Sequence, residues 1–316
     1  MISRRLFLGA AGVAAAAVSL PACTAAAGAV VGGSMGSSIA GISLGFSLYG
    51  MKSVPLSESL EFCRSLGYEH VEFCLNPGFP TEPAVFTEAA RTAARQQLQQ
   101  LGLGLPCLMV LMNLTADDQS HGKSLELIAA AAKLATDVVP AAPPVLETVL
   151  GGSPAKWLEQ RGQMADRLRD WAEAAEQAGT TILLKAHAGS AVNSPERLLW
   201  LFEQVPSAAL QAAYDYSHFE LQGIDLAESL KLLLPRIRFI HVKDSEGTAE
   251  KFRFLLPGQG RTDYVKYFSL LHELRYAGPV CVEVSGQVSG QPGYNPRTAA
   301  ADCWKVLNVA QQKALQ

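Results

Sequence analysis

At 316 residues, with 49% hydrophobic and 17% charged side chains, the chain can bury one large core plus a tail, and an α/β barrel of roughly 250 residues fits inside it. The formal net charge is −3 and no basic stripe runs along the sequence, which argues against a nucleic-acid partner.

The chain begins with a segment that does not read as part of a folded domain. Ser3-Arg4-Arg5-Leu6-Phe7-Leu8 sets a twin arginine ahead of an apolar, Ala-rich run over residues 6–20, the layout of a twin-arginine export signal. That run is short for a bilayer span, which needs about twenty residues. Leu20-Pro21-Ala22-Cys23 then resembles a lipobox with Cys23 as lipid acceptor, and the Gly-, Ala- and Ser-rich stretch after it reads as a flexible tether. The expected division is a signal peptide over 1–23, a tether over 24–40 and a single domain over 41–316. The expected destination is the bacterial periplasm or cell envelope, with membrane contact only through a lipid on Cys23.

From residue 41 onward, apolar runs of strand length alternate with helical patterns. Strands are expected at 42–48, 70–75, 105–111, 145–150, 181–185, 210–215, 239–242 and 280–284. Helices are expected at 56–66, 82–101, 124–136, 155–178, after Ser194-Pro195, at 224–234, 263–274 and 297–312. Ser194 is a good N-cap and Pro195 a good first helical residue. Eight strands, each followed by a helix, predict an α/β fold: a single (β/α)8 TIM barrel. An open doubly wound sheet would want a Gly-rich phosphate turn after its first strand, and Ser47-Leu48-Tyr49-Gly50 is not one. Cys63, Cys74, Cys107, Cys281 and Cys303 follow no metal spacing and sit in apolar patterns, so they are expected to be free, packed thiols.

The ionisable residues in or at the carboxyl ends of these strands are Glu147, Lys185 with His187, Asp215 with His218, His241 with Asp244, and Glu283. In a parallel barrel those ends face one mouth, so these groups should converge. Carboxylates and a histidine from separate strands can form an O/N site for Mn²⁺, Mg²⁺ or Zn²⁺, and the same groups can move protons. Arg253, in a loop between Phe252 and Phe254, is a candidate to reach over the mouth and hold a substrate hydroxyl or carboxylate.

Tyr214-Asp215-Tyr216-Ser217-His218, then His241-Val242-Lys243-Asp244, Gly258-Gln259-Gly260 and Val282-Glu283-Val284 resemble, in order and spacing, the sugar phosphate isomerase/epimerase group of xylose-isomerase-like TIM barrels. Glu72 in the second strand also fits that group. The resemblance implies one divalent metal held by a strand-five Glu, a strand-six Asp, a strand-seven His and a strand-eight Glu, with the two glutamates as the acid/base pair. Asp215, His241 and Glu283 match three of these ligands, and His218 matches a residue that contacts substrate oxygens. The fourth position departs from the pattern, because Lys185 stands where the family has Glu.

Three arrangements follow from that departure. Lys185 takes the metal's place, paired with Asp215 and Glu283; or it acts as the base; or Glu147 or His187 completes a metal site shifted sideways. The resulting assignment gives catalytic roles to Lys185, Glu283 and His218, and substrate contacts to His187, Arg253 and Glu147. A divalent metal is a candidate cofactor and no organic cofactor is expected. The expected activity is sugar isomerisation or epimerisation by proton transfer next to a carbonyl, on a small carbohydrate or keto-sugar that export suggests is unphosphorylated. A keto-sugar lyase or hydratase, and a non-catalytic sugar-binding lipoprotein, are the alternatives.

Overall fold

A computed structural model describes residues 41–316; the twin arginine, Cys23 and the tether lie outside the described residues. Eight parallel strands close into a barrel: β1 (Ser43–Ser47), β2 (His70–Cys74), β3 (Gly104–Met109), β4 (Val145–Val149), β5 (Ile182–Lys185), β6 (Leu210–Asp215), β7 (Ile237–Val242) and β10 (Pro279–Val282), the last pairing with both β7 and β1. Between β7 and β10 an antiparallel hairpin, β8 (Asp244–Thr248) and β9 (Lys251–Leu255), stands outside the barrel sheet. The helices are α1 (Leu56–Leu66), α2 (Glu88–Leu101), α3 (Asp118–Val138), α4 (Trp157–Gln177), α5 (Pro195–Gln204), α6 (Tyr216–Glu220), α7 (Leu226–Leu233), α8 (Tyr264–Glu273), α9 (Gly286–Ser289) and α10 (Pro296–Lys313). Among the described residues no helix is long and apolar enough to cross a membrane.

Local chemistry sets the helix boundaries. Ser194, with Pro195 behind it, caps α5 by accepting from the Arg197 N–H, as its side chain predicts. Two helices start six residues away from the expected position. The Thr87 hydroxyl accepts from Ala90 N–H and starts α2 there rather than at 82. Asp117 accepts from Ser120 N–H and starts α3 six residues before the expected 124.

The barrel interior has a period of two that decides the chemistry of its mouth. Cys107, Leu183, Ala213, Phe239 and Cys281 form a buried cluster of their own, with Val145 packed against it. Two residues further along the same strands come Met109, Lys185, Asp215, His241, Glu283 and Glu147. Alternate strand residues share a face, so this largely ionisable layer lies directly above an apolar floor, at the carboxyl ends of the strands.

Candidate active site

The layer is a connected ion cluster. Asp215 and His241 are register partners across β6 and β7. Lys185 Nζ lies 3.0 Å from His241 Nδ1, 3.0 Å from Glu283 Oε2 and 2.9 Å from Glu147 Oε1. The last is an ion contact without hydrogen-bond alignment, and neither Glu147 oxygen has a hydrogen-bond partner. Lys243 Nζ donates to Asp215 Oδ2 and, at 2.8 Å, to the same Glu283 Oε2 that Lys185 holds. On the far side of the imidazole, His241 Nε2 is 3.0 Å from Glu72 Oε2. That contact fixes the Nε2–H tautomer and turns the Nδ1 lone pair toward Lys185.

Asp215 divides its oxygens between two tasks. Oδ1 accepts from the Ser217 N–H and hydroxyl and so starts α6, while Oδ2 faces Lys243 and lies 3.3 Å from His218 Nε2. Asp244, the last residue of the HVKD run, accepts from the Gly258 and Gly260 N–H groups at 2.8 Å each. This ties the G-x-G loop to the end of β7. A Cβ at Gly260 would come within 2.8 Å of Asp244 Cβ and 2.9 Å of Ser245 O. Gly260→Ala should therefore cost about 1–3 kcal/mol of overpacking, read as a lower urea midpoint.

A cavity of about 320 Å³ opens onto this cluster, lined among others by Tyr49, Glu147, Lys185, His187, Lys243 and Glu283. His187 accepts from Gly189 N–H through Nδ1, and burial, with the neighbouring His218 and Lys243, pushes its pKa down to about 2. It is therefore a neutral imidazole whose Nε2 remains for a ligand. Burial also pushes the Tyr49 hydroxyl up, with Glu283 adding to the effect.

The two carboxyls flanking Lys185 are driven apart. Burial raises Glu147, only partly offset by Lys185. Burial works the same way on Glu283, but the Lys185 and Lys243 ammoniums outweigh it and hold the carboxyl well below its usual range. Asp215 is likewise held low, with Lys243 and His218 overcoming burial. Such depressed groups bind fewer protons folded than unfolded, so they add stability above the ordinary carboxylate pKa near 4. That stability is lost as pH falls from about 4 toward the folded values. Burial also holds the imidazoles of His70, His187 and His218 below their usual range, so their protonation in the unfolded chain erodes stability already below about 6.5; calorimetric melting temperatures should decline from there and fall most steeply below about 4.

The expected site residues fall into three places. Lys185, Glu147, His187 and Glu283 line the cavity, and Asp215 and His241 lie fully buried against them. His218 is fully buried, accepts from Ala188 N–H and packs on His187 and Phe254, so it is placed behind the wall rather than in it. Arg253 does not reach over the mouth. Because side chains alternate along β9, Phe254 turns in over the histidines while Arg253 turns out, 65% exposed, to pair with Glu246 at 2.6 Å. Lys243, which the sequence reading leaves without a role, stands two residues after His241 and shares its face. Tyr49 was passed over as well.

Asp215, His241 and Glu283 offer ligand atoms within 4.8 Å of one another, a candidate set for a divalent ion. As they stand these residues do not fit one, because each of the three ligands is already engaged by an ammonium. A dication about 4 Å from a protonated lysine costs roughly 8 kcal/mol of repulsion per lysine at an effective dielectric near 20, and two lysines stand there.

Residues 60–305 match the family described as xylose isomerase-like TIM barrel. Inosose dehydratase of Geobacillus kaustophilus is 28% identical over 135 residues, 38% of this chain and 44% of that protein. The chain thus spans less than half the length of that relative. The putative L-ribulose-5-phosphate 3-epimerase SgbU of Escherichia coli is 23% identical over 76% of this chain and 87% of its own. Among solved structures, the IolI protein with a bound zinc atom superposes with a TM-score of 0.69 at 19% identity, covering 86% of this chain and 98% of that one. The closed barrel, the polar layer at its carboxyl rim and a match running through both place this chain in the xylose isomerase-like TIM barrel family.

Proposed function

We propose that the protein is an isomerase or epimerase that moves a proton at the carbon next to a carbonyl of a small carbohydrate or keto-sugar. The observation that carries this reading is the divergence of two carboxyls on either side of one ammonium. The two ammoniums hold Glu283 well below the usual carboxylate range, burial raises Glu147, and both line one cavity. A pair whose environments push its pKa values apart is a ready base and acid. Glu283 takes the proton from carbon, and Glu147, whose oxygens have no hydrogen-bond partner, returns one to the same carbon from the other face in epimerisation, or to the neighbouring carbon in isomerisation. The neutral His187 donates to a substrate oxygen without bringing a charge. The curated relatives include both an epimerase and a dehydratase by name.

Elimination of water is the second reading. It begins with the same proton abstraction and differs only in whether Glu147 protonates carbon or a departing hydroxyl. The twin arginine and Cys23 support export, so the proposed substrate is an unphosphorylated sugar met outside the cytoplasm.

The test is incubation of the purified protein with a panel of keto-sugars in deuterated water, followed by proton NMR. Loss of a C–H signal next to the carbonyl is the expected result, and new double-bond resonances would favour elimination. Binding without exchange across the panel would overturn the catalytic reading in favour of a sugar-binding protein.

A further inference from the structure

Lys185 and Lys243 come from different strands, β5 and the end of β7, and both ammoniums converge on one oxygen, Glu283 Oε2, at 3.0 and 2.8 Å. Lys185 also engages His241 and Lys243 also engages Asp215. Together they touch each of the three side chains that gather as a candidate ligand set. Both are nearly inaccessible to solvent, yet both line the cavity. We propose that these two lysines jointly do the work of a divalent ion: they supply the positive charge that stabilises the substrate's developing oxyanion, and the site operates without a metal.

Formal charge supports the assignment. Asp215 and Glu283 carry two negative charges, and the ammoniums supply two positive ones, so the set is neutral with no ion added. Geometry supports it as well. Lys243 commits two of its three N–H donors to Asp215 and Glu283; its ammonium also lies 4.9 Å from the centre of the Phe254 ring, and a ligand oxygen in the cavity can compete for the third donor, which makes no hydrogen bond among the described residues. Lys185 aims its third donor poorly at Glu147, so a substrate oxygen can take that one too.

The role in catalysis rests on the proton-transfer reading above, and the step balances without any redox partner. The C–H bond breaks and its proton passes to the Glu283 carboxylate. The electron pair becomes the carbon–carbon π bond of an enediolate, and the former carbonyl oxygen takes the negative charge. That oxygen is met by the Lys243 and Lys185 N–H donors. Reprotonation from Glu147 forms the product and leaves Glu283 protonated and Glu147 ionised; loss of the Glu283 proton to solvent and uptake of one by Glu147 through the cavity restore the starting state.

The test uses the full-length protein purified without added metal. Elemental analysis should find well under one equivalent of Mn, Mg or Zn per chain. Millimolar Mn²⁺ should leave the melting temperature unchanged, and EDTA should leave keto-sugar exchange in deuterated water unchanged. The double variant Lys185→Glu/Lys243→Met rebuilds a carboxylate ligand and removes the second ammonium. It should melt lower than wild type in EDTA and regain several degrees with Mn²⁺, because an ion that binds only the folded state stabilises it. Lys243→Met alone should lower kcat by about 10²–10³-fold with a smaller change in KM, and Lys243→Arg should restore part of it.

A stoichiometric metal in wild type, EDTA-sensitive exchange, or an unchanged kcat in Lys243→Met would overturn the proposal. Absence of both metal and exchange would leave metal independence standing and remove the catalytic role, together with the keto-sugar reading on which that role depends.

Discussion

Glu283→Gln should lower the rate of carbon-bound hydrogen exchange by about 10²–10⁴-fold, the range a positioned acid or base contributes. The amide keeps the shape of the side chain and one acceptor oxygen for the two lysine donors that meet at Oε2, but it cannot accept a proton from carbon. The loss of charge also leaves Lys185 and Lys243 less well matched, so a stability cost of about 1.5–3 kcal/mol accompanies the substitution. The measurement is single-substrate exchange followed by NMR, with circular dichroism melting to show that the variant is folded at the assay temperature. An active Gln variant would move the base elsewhere in the cluster.

The larger effect on stability belongs to Lys185→Met. Methionine fills similar volume but leaves Glu147 and Glu283, both in contact with the lost ammonium, without their shared partner in a largely buried cluster. Breaking a buried pair in this way costs about 3–5 kcal/mol, against about 0.3–0.5 kcal/mol for an exposed helical pair such as Lys133 with Asp137. Urea unfolding of Lys185→Met beside Lys133→Met should separate the two by several-fold in ΔΔG. Comparable losses would mean that the cluster is looser and wetter than its geometry shows.

How much of this could be read in advance differs from element to element. The barrel was legible because strand-length apolar runs alternate with capped helices, and a cap such as Ser194 announces itself as a residue type. Convergence of Glu147, Lys185, Asp215, His241 and Glu283 followed from their common position at strand ends. The hairpin of β8 and β9 was not legible as strands. Asp244 to Thr248 are mostly polar and small, and the pairing that makes them a strand comes from β9 alone. Within β9 the alternation Phe252, Arg253, Phe254 already contained the answer for Arg253, whose side chain had to point opposite to the aromatic pair. Lys243 shows the opposite case: its face followed from His241, but its partners Asp215 and Glu283 sit 28 and 40 residues away, a meeting only the closed barrel creates.

The five cysteines of the barrel domain lie at or near zero exposure, none in a disulfide. Burial pushes Cys63 and Cys74 up to about 12 and raises the other three as well. Thiolate is the reactive form, so among these five an alkylating reagent meets almost nothing to modify until the barrel opens. Each molecule therefore carries five silent reporters of its own unfolding: labelling kinetics followed by mass spectrometry count opened chains one by one, with no engineered probe.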